Sequence, residues 1–290
     1  MRTLFLAAGH NGLRLTSTDG TTWSAPQLGK DGETFRAAAA GNGRFVAIGS
    51  YGGGNIFATI SDGKTWKQST KDGQYSRYVR GLVFGNGSFL AIGGDPGAVG
   101  VGRPFVYASE DGETWNGPHD VSGKFIIRRV AFGNKLFVGV GDRGRRSVSA
   151  NGKEWTDGAE VKAIDTLVDV AYGNGIFVGV GLHGLRMRTE DGKKWTDRLI
   201  GEEGEHLNAV VWAKNKFVAV GAGVTFVSTD GLKWEHFSTT DAPSTVVYGG
   251  GTFVGPRWKG KLMRSTDGIK WAETFVAEHH IEAVAFGELG

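Results

Sequence analysis

The sequence has no cysteine among its 290 residues, and it holds only 6 prolines and 3 methionines. The missing cysteines exclude a disulfide framework and thiol chemistry, and they carry no information about the cellular compartment. Charges are nearly balanced, with 33 lysines and arginines against 30 aspartates and glutamates, and the basic residues form no run. The composition therefore argues against nucleic acid as a partner, because nucleic-acid binding needs a concentrated basic surface.

Long apolar stretches and helical periodicity are also missing. No apolar run approaches the roughly 18 residues of a membrane span, so we expect no membrane insertion. The apolar residues 4–8 are fewer than the roughly 7–15 residues of a signal-peptide core, so we expect a strand there. Apolar residues instead form short runs bounded by glycine, as at 89–92 and 137–140. This pattern is typical of buried strands and predicts an all-β protein.

The motifs of common catalytic and cofactor sites do not occur. The chain has no Gly-x-Ser-x-Gly, no phosphate-binding loop and no dinucleotide fingerprint. His10 could meet the pair His279 and His280 on one face, but the seven histidines show no metal-ligand spacing. We therefore predict neither a metal site nor a cofactor.

The chain is organised around a heptapeptide that occurs seven times, first at residues 17–23 as STDGTTW. Each copy has Asp-Gly or Asn-Gly, a strong turn signal, followed by a Trp that offers a large apolar surface for burial. The turn residues are Asp19, Asp62, Asp111, Asn151, Asp191, Asp230 and Asp267, and the tryptophans are Trp23, Trp66, Trp115, Trp155, Trp195, Trp234 and Trp271.

The copies are 37 to 49 residues apart, a period that is typical of propeller blades. We predict a seven-bladed β-propeller of four-stranded antiparallel blades, forming a single domain over residues 1–290. Residues 4–8 form a second strand that lacks a first, and residues 283–286 form a first strand that lacks a second. The N- and C-terminal strands should therefore share one blade, which removes the open sheet edge.

The heptapeptide resembles the Asp box of bacterial neuraminidase repeats, Ser/Thr-x-Asp-x-Gly-x-Thr-Trp. Five copies keep Ser or Thr two residues before Asp, whereas Ile60 precedes Asp62 and Ser149 precedes an Asn. Here Asp and Gly are adjacent, so the box is one residue shorter. The resemblance implies that these residues form structural turns at the blade periphery, away from any active site. It also implies a secreted or extracytoplasmic protein, although a cytoplasmic location is compatible with the residues.

Three arginines occupy equivalent positions when the first strands of the blades are aligned. Arg36, Arg80 and Arg128 each lie five residues before the first turn, and Glu282 holds that position on the preceding blade. Guanidinium groups match carboxylates, phosphates and sulfates. We therefore predict an anion-binding arc at the mouth of the channel. The alternative is that the arginines pair with loop acids such as Glu33, Asp72 and Asp120.

Trp258 is a tryptophan outside the repeat, because Trp212 takes a core position that Phe132 and Tyr172 hold in other blades. It lies beside Arg257 in a loop between second and third strands, on the far flank of the predicted arc. An aromatic ring beside polar groups suits the face of a sugar or an anchor residue of a partner. The alternative is a ring that packs on the neighbouring blade.

These features favour a non-catalytic, monomeric recognition protein that binds a glycan or a protein partner at the channel mouth. The resemblance to neuraminidase repeats makes a sialidase-like hydrolase or lyase acting on an anionic glycan the runner-up. Sialidases have six blades and an Arg-Ile-Pro motif that this chain lacks, and Tyr78 and Glu282 are only near the expected face. A weaker alternative is an assembly factor similar to the photosystem assembly propellers, which use related repeats.

Overall fold

The computed structural model of the protein describes residues 2–71, 78–95, 102–158, 162 and 165–290. These residues form a seven-bladed β-propeller of antiparallel sheets, as predicted. The inner strands of the seven blades contact one another in a closed ring around the channel. We call the end of the channel where the inner strands begin the mouth face. Among the described residues, no helix has the length and apolar character that crossing a membrane requires.

The strands follow the chain blade by blade, from the inner strand outward. Blade one combines β27 (Ile281–Leu289), β1 (Arg2–Gly9) and β2 (Arg14–Ser17). Blade two consists of β3 (Thr34–Gly41), β4 (Arg44–Tyr51), β5 (Gly54–Ile60) and β6 (Lys67–Lys71). Blade three consists of β7 (Tyr78–Gly85), β8 (Ser88–Gly94), β9 (Phe105–Ser109) and β10 (Asn116–Asp120). Blade four consists of β11 (Ile127–Gly133), β12 (Leu136–Gly141), β13 (Arg146–Ser149) and β14 (Thr156–Asp157). Blade five consists of β15 (Leu167–Gly173), β16 (Ile176–Gly181), β17 (Arg186–Thr189) and β18 (Thr196–Leu199). Blade six consists of β19 (Leu207–Ala213), β20 (Lys216–Gly221), β21 (Val224–Ser228) and β22 (Glu235–Ser238). Blade seven consists of β23 (Val247–Gly249), β24 (Thr252–Arg257), β25 (Lys261–Ser265) and β26 (Ala272–Val276).

Both chain ends contribute to blade one, and this confirms the predicted closure. β1 pairs with β27 from Arg2 opposite Leu289 to Gly9 opposite Ile281. Blade one nevertheless has three strands, because its outer segment makes only isolated bridges at Gln27 and Trp23. That segment contains a proline at position 26, which cannot donate a ladder hydrogen bond.

A phenylalanine near the start of each second strand forms the repeating core. These rings are at most 1% exposed, and they belong to Phe5, Phe45, Phe89, Phe137, Phe177, Phe217 and Phe253. In six blades the ring packs on an aromatic ring of the inner strand, with centroids 4.6–4.8 Å apart. Trp212 holds that inner position in blade six, as predicted. Replacing one such phenylalanine by alanine would cost about 3–5 kcal/mol.

Six Asp-Gly turns and one Asn-Gly turn, at Asn151, follow the third strands on the face opposite the mouth. In the first turn, Asp19 Oδ1 accepts hydrogen bonds from the amides of Thr21 at 2.7 Å and Thr22 at 2.8 Å. Ser17 Oγ accepts a third bond from the amide of Gly20 at 2.9 Å. The amides of Thr22 and Thr21 lower the pKa of Asp19, because they favour its charged form. The carboxylate therefore serves to hold its own turn.

The tryptophan after each turn lies between the turn and the outer strand. In blades two to seven it directly precedes the fourth strand. In four blades its indole N–H donates to the carbonyl of the turn glycine at 3.0–3.1 Å, from Trp115, Trp155, Trp195 and Trp234.

The turn tryptophans of blades two, three, five and six also contact a side chain of the preceding blade. The contacting side chain lies five residues before the turn residue of the preceding blade. Phe57 packs on Trp115 with ring centroids 4.4 Å apart, and Arg146 lies over Trp195 at 5.3 Å. The repeated Trp is therefore a contact between blades as well as part of the turn.

Candidate functional site

A β-bulge interrupts the inner strand of six blades at the same place. In blade two, Phe35 pairs with Gly49 and Ala37 with Ile48, so that Arg36 has no partner on the second strand. A bulge leaves one residue unpaired and re-aims its side chain. The bulged residues are Glu282, Arg36, Arg80, Arg128, Val168 and Asn208. The residues that were aligned in the sequence thus share one backbone irregularity at the mouth.

A glycine at the end of each second strand allows the chain to approach the bulge closely. A Cβ atom on any of these glycines would overlap a backbone carbonyl oxygen at the start of the inner strand. The seven positions are Gly9, Gly49, Gly93, Gly141, Gly181, Gly221 and Gly255. These glycines are the sequence signal of the bulge.

The structure brings the three arginines and Glu282 together on consecutive blades. We call Arg36, Arg80 and Arg128 the arginine arc. Arg36 lies 3.6 Å from Glu282, measured between Nη1 and Oε2. Arg128 forms a two-pronged pair with Asp142, through Nε to Oδ1 and through Nη2 to Oδ2 at 3.2 Å. Each end of the arc therefore has one carboxylate.

Arg80, at the centre of the arc, differs from its neighbours. Among the described residues its guanidinium has no hydrogen bond or ion pair, and its Nε is buried. Burial lowers the pKa of Arg80, and the positive charges of Arg36 and Arg128 lower it further. The negative charges of Asp142 and Glu282 raise the pKa in turn, but neither carboxylate contacts Arg80. Arg80 is thus a partly buried cation between two like charges, without an acidic partner of its own among the described residues.

A second layer of charge supports the arc from inside the channel. Arg129 Nη1 donates to the backbone carbonyls of Arg80 and Arg128, both at 3.1 Å, and so joins the bulges of blades three and four. Asp169 on β15 offsets the charge of Arg129 and accepts a hydrogen bond from the amide of Val210 at 2.8 Å. This unit holds the backbone that carries the arc.

Aromatic rings extend the site from Glu282 toward blade seven. His10 Nε2 lies 2.6 Å from Glu282 Oε1, and the ring of His10 contacts that of His280 edge-on at 5.2 Å. Trp258 packs on the other side of His280, with centroids 5.1 Å apart. Burial and the nearby His10 lower the pKa of His280, so its ring is neutral at pH 7.

The remaining sequence predictions about this region have mixed outcomes. The Arg257 side chain pairs with Asp241 at 2.7 Å and has no described contact with the arc. Glu33 accepts hydrogen bonds from Gln68 and the amide of Lys30 instead of pairing with the arginines. Asp120 lies on the outer strand β10, and Asp72 lies outside the described residues. Among the residues that the structure describes, the acids in contact with the arc are therefore Glu282 and Asp142.

Three charged residues of the site were missed in the sequence. Asp142 follows a second-strand glycine in a loop, and only its charge opposite to that of Arg128 could have suggested the pair. Arg129 and Asp169 interrupt inner strands that are otherwise apolar, which is a readable signal. Among the described residues, no group of three or more histidines, aspartates or glutamates could hold a metal ion.

Two grooves lie on the side of the Asp-Gly turns, one between blades four and five and the other on blade five. One, of about 450 Å³, is lined by residues that include Asn151, Glu154 and Lys193, and the other, of about 250 Å³, by residues that include Arg188 and Lys194. Neither groove contains a residue of the arginine arc. These two grooves and the charge of the arginine arc thus lie on different faces, and the charge favours the mouth as the candidate site.

No family model matches this sequence, and no curated protein matches it. Solved structures do match. A structure of YCF48 bound to a D1 peptide has a TM-score of 0.64 at 17% identity, covering 88% of this chain and 85% of that chain. The computationally designed protein Ika8 has a TM-score of 0.58 at 13% identity, covering 98% of this chain and 90% of that chain. At these identities the likeness shows a shared fold.

Proposed function

We propose that the protein is a non-catalytic recognition propeller that binds an acidic segment of a protein partner at the channel mouth. The observation that carries this proposal is Arg80, a partly buried guanidinium without an acidic partner among the described residues. Burial without a partner is costly for a charged group, and a ligand that supplies the partner recovers that cost.

The charges of the arc favour one additional anion. Guanidinium groups on neighbouring blades repel one another unless negative charge compensates them. Glu282 contacts Arg36 and Asp142 contacts Arg128, whereas in the described part of the chain no acid contacts Arg80. A carboxylate suits this position because the planar guanidinium can bind both of its oxygens.

A protein partner is favoured over a glycan because YCF48, which shares the propeller fold, was solved with a bound peptide. The carboxylate could belong to an Asp or Glu side chain or to the end of the partner chain, and both sources present the same chemistry to Arg80. The likeness of the seven turns to Asp boxes, and with it an extracytoplasmic location, stays a prediction.

The Arg80→Met variant tests the proposal. Loss of a charge-assisted contact costs about 1.5–3 kcal/mol, so affinity for an acidic peptide should fall about 10- to 100-fold. Thermal stability should stay the same or rise, because the change removes a partly buried charge that lacks an acidic partner among the described residues and keeps an apolar stem. Calorimetric titration would use an amidated octapeptide with three glutamates, its three-glutamine counterpart, and the glutamine peptide with a free terminal carboxylate.

Lys153→Ala is the matched control, because it removes one exposed positive charge from the opposite face. A wild-type protein that binds neither carboxylate-bearing peptide, or an Arg80→Met variant with wild-type affinity, would contradict the proposal. Tighter, Arg80-dependent binding of sialyllactose or an oligogalacturonate would assign the arc to a glycan. Turnover of chromogenic glycosides would contradict its non-catalytic part.

A further inference from the structure

Trp258 presents its indole ring to solvent from a firmly held turn. The side chain is 71% exposed. In the turn between β24 and β25, Lys259 and Gly260 have positive φ. The carbonyl of Gly260 accepts a hydrogen bond from the amide of Ala277 at 2.9 Å. The neighbouring Arg257 is held by Asp241. The backbone therefore fixes the ring in water, which is the arrangement of an anchor for a partner.

The exposed apolar side chains are distributed on one side of the propeller. All six large ones in the described part of the chain lie at the mouth ends of their blades, either in loops between second and third strands or at the ends of outer segments. They are Leu28, Leu182, Leu199, Ile200, Trp258 and Val276. Scattered exposed apolar residues are ordinary, but this one-sided distribution indicates a contact face.

Contacts connect Trp258 to the arginine arc without interruption. The ring of Trp258 packs on His280, and that of His280 on His10. His10 contacts Glu282, and Glu282 contacts Arg36, which adjoins Arg80. The site thus runs from a neutral aromatic surface on blade seven to a cationic centre on blade three.

We infer that the acidic segment of the partner also carries an apolar or aromatic side chain, which Trp258 and His280 receive. This inference rests on the proposed function, because it concerns the same ligand. Charge complementarity selects an acid at Arg80, and the neutral rings of Trp258 and His280 offer apolar contact beside it. The occupant is therefore a peptide in which a residue such as Phe or Leu lies within a few positions of Asp or Glu.

The test compares peptides that differ only in this anchor. Two amidated three-glutamate octapeptides carry Phe on either side of the acidic run, and a third carries Ser at both positions. Trp258→Ala should weaken binding of the better Phe peptide about tenfold and change binding of the Ser peptide less than about twofold. Trp258→Phe should retain most of the affinity. Leu232→Ala, which removes a partly exposed apolar side chain from the turn of blade six on the opposite face, is the control.

The outcomes separate this inference from the proposed function. If the acidic peptides bind through Arg80 but Trp258→Ala weakens the Phe and Ser peptides equally or not at all, the inference alone is overturned. If no acidic peptide binds the wild type, both fail. The inference would also be overturned if replacing Trp258 weakened the binding of an oligosaccharide but not the binding of any peptide. The variant should fold normally because Trp258 is mostly exposed, and an unchanged melting temperature verifies this.

Discussion

Asp169 is a carboxyl group on an inner strand, between two valine residues of an otherwise apolar run. Burial raises the pKa of Asp169 to about 6, and the charge of Arg129 and the amide hydrogen bonds offset only part of this effect. The folded protein therefore binds the proton of Asp169 more tightly than the unfolded chain does. The charged carboxylate is retained beside Arg129, whose guanidinium joins the bulges at Arg80 and Arg128.

We predict that Asp169→Asn stabilises the protein at neutral pH. Between about pH 4 and pH 6 the folded state holds more protons at this group than the unfolded state, so its contribution to the free energy of unfolding falls as pH rises. Above pH 6 the wild-type protein bears the full cost of burying the charged carboxylate. The variant should therefore be more stable than the wild type by about 1–3 kcal/mol. Urea denaturation of both proteins at pH 4, 5, 6 and 7 checks this. A variant that is equally stable or less stable at pH 7 would contradict it.

The bulge is the element that turns a repeated strand into a binding position. It places one residue of six inner strands at the mouth, and the second strand opposite carries a glycine. In blade four, Gly141 has extended backbone angles, so only the close approach of the carbonyl of Ile126 demands glycine there. The bulge places Arg128 beside Asp142, the residue that follows this glycine.

We predict that Gly141→Ala destabilises the protein by about 2–4 kcal/mol, because the new methyl group forces the two strands apart. Gly175→Ala is the control: its φ of 80° is unfavourable for alanine, but the site is open, so a cost of about 1–2 kcal/mol is expected. Urea denaturation measures both. If both variants lost the same free energy of unfolding, the close approach of the strands would not be what restricts position 141 to glycine.

Closure by β1 and β27 holds the ring of blades together. Leu4, Leu6 and Leu289 are buried in one cluster with residues of blade two. The inner strand β27 contacts β3 on one side and β23 on the other. Loss of β27 would open the ring and expose several core side chains, each worth about 1.5–3 kcal/mol.

We predict that a chain lacking residues 281–290 melts more than about 10 °C below the full chain, with a broader transition. Differential scanning calorimetry of both proteins provides the measurement. A synthetic peptide of residues 281–290 added in excess should restore part of the lost stability, since it can pair with β1. Identical melting of the truncated and full chains would refute closure as a source of stability.

The sequence by itself determined the number of blades, their order, the buried phenylalanines and the shared first blade. These features are local or periodic: each Asp-Gly turn satisfies its own amides, and each short apolar run carries its own burial pattern. The equivalent positions of Arg36, Arg80 and Arg128 could be predicted for the same reason. Equivalent positions in a repeat lie at the same height along the channel.

Only the tertiary structure decided which of these arginines has a partner. Glu282 is distant from Arg36 in sequence, and Asp142 lies in a loop whose direction depends on the bulge beside it. The same holds for Trp258, whose turn leaves it exposed on His280 rather than packed into the core. Contacts between blades arise when the ring closes, so they depend on geometry that a single repeat does not encode. That geometry leaves Arg80 without an acidic partner among the described residues.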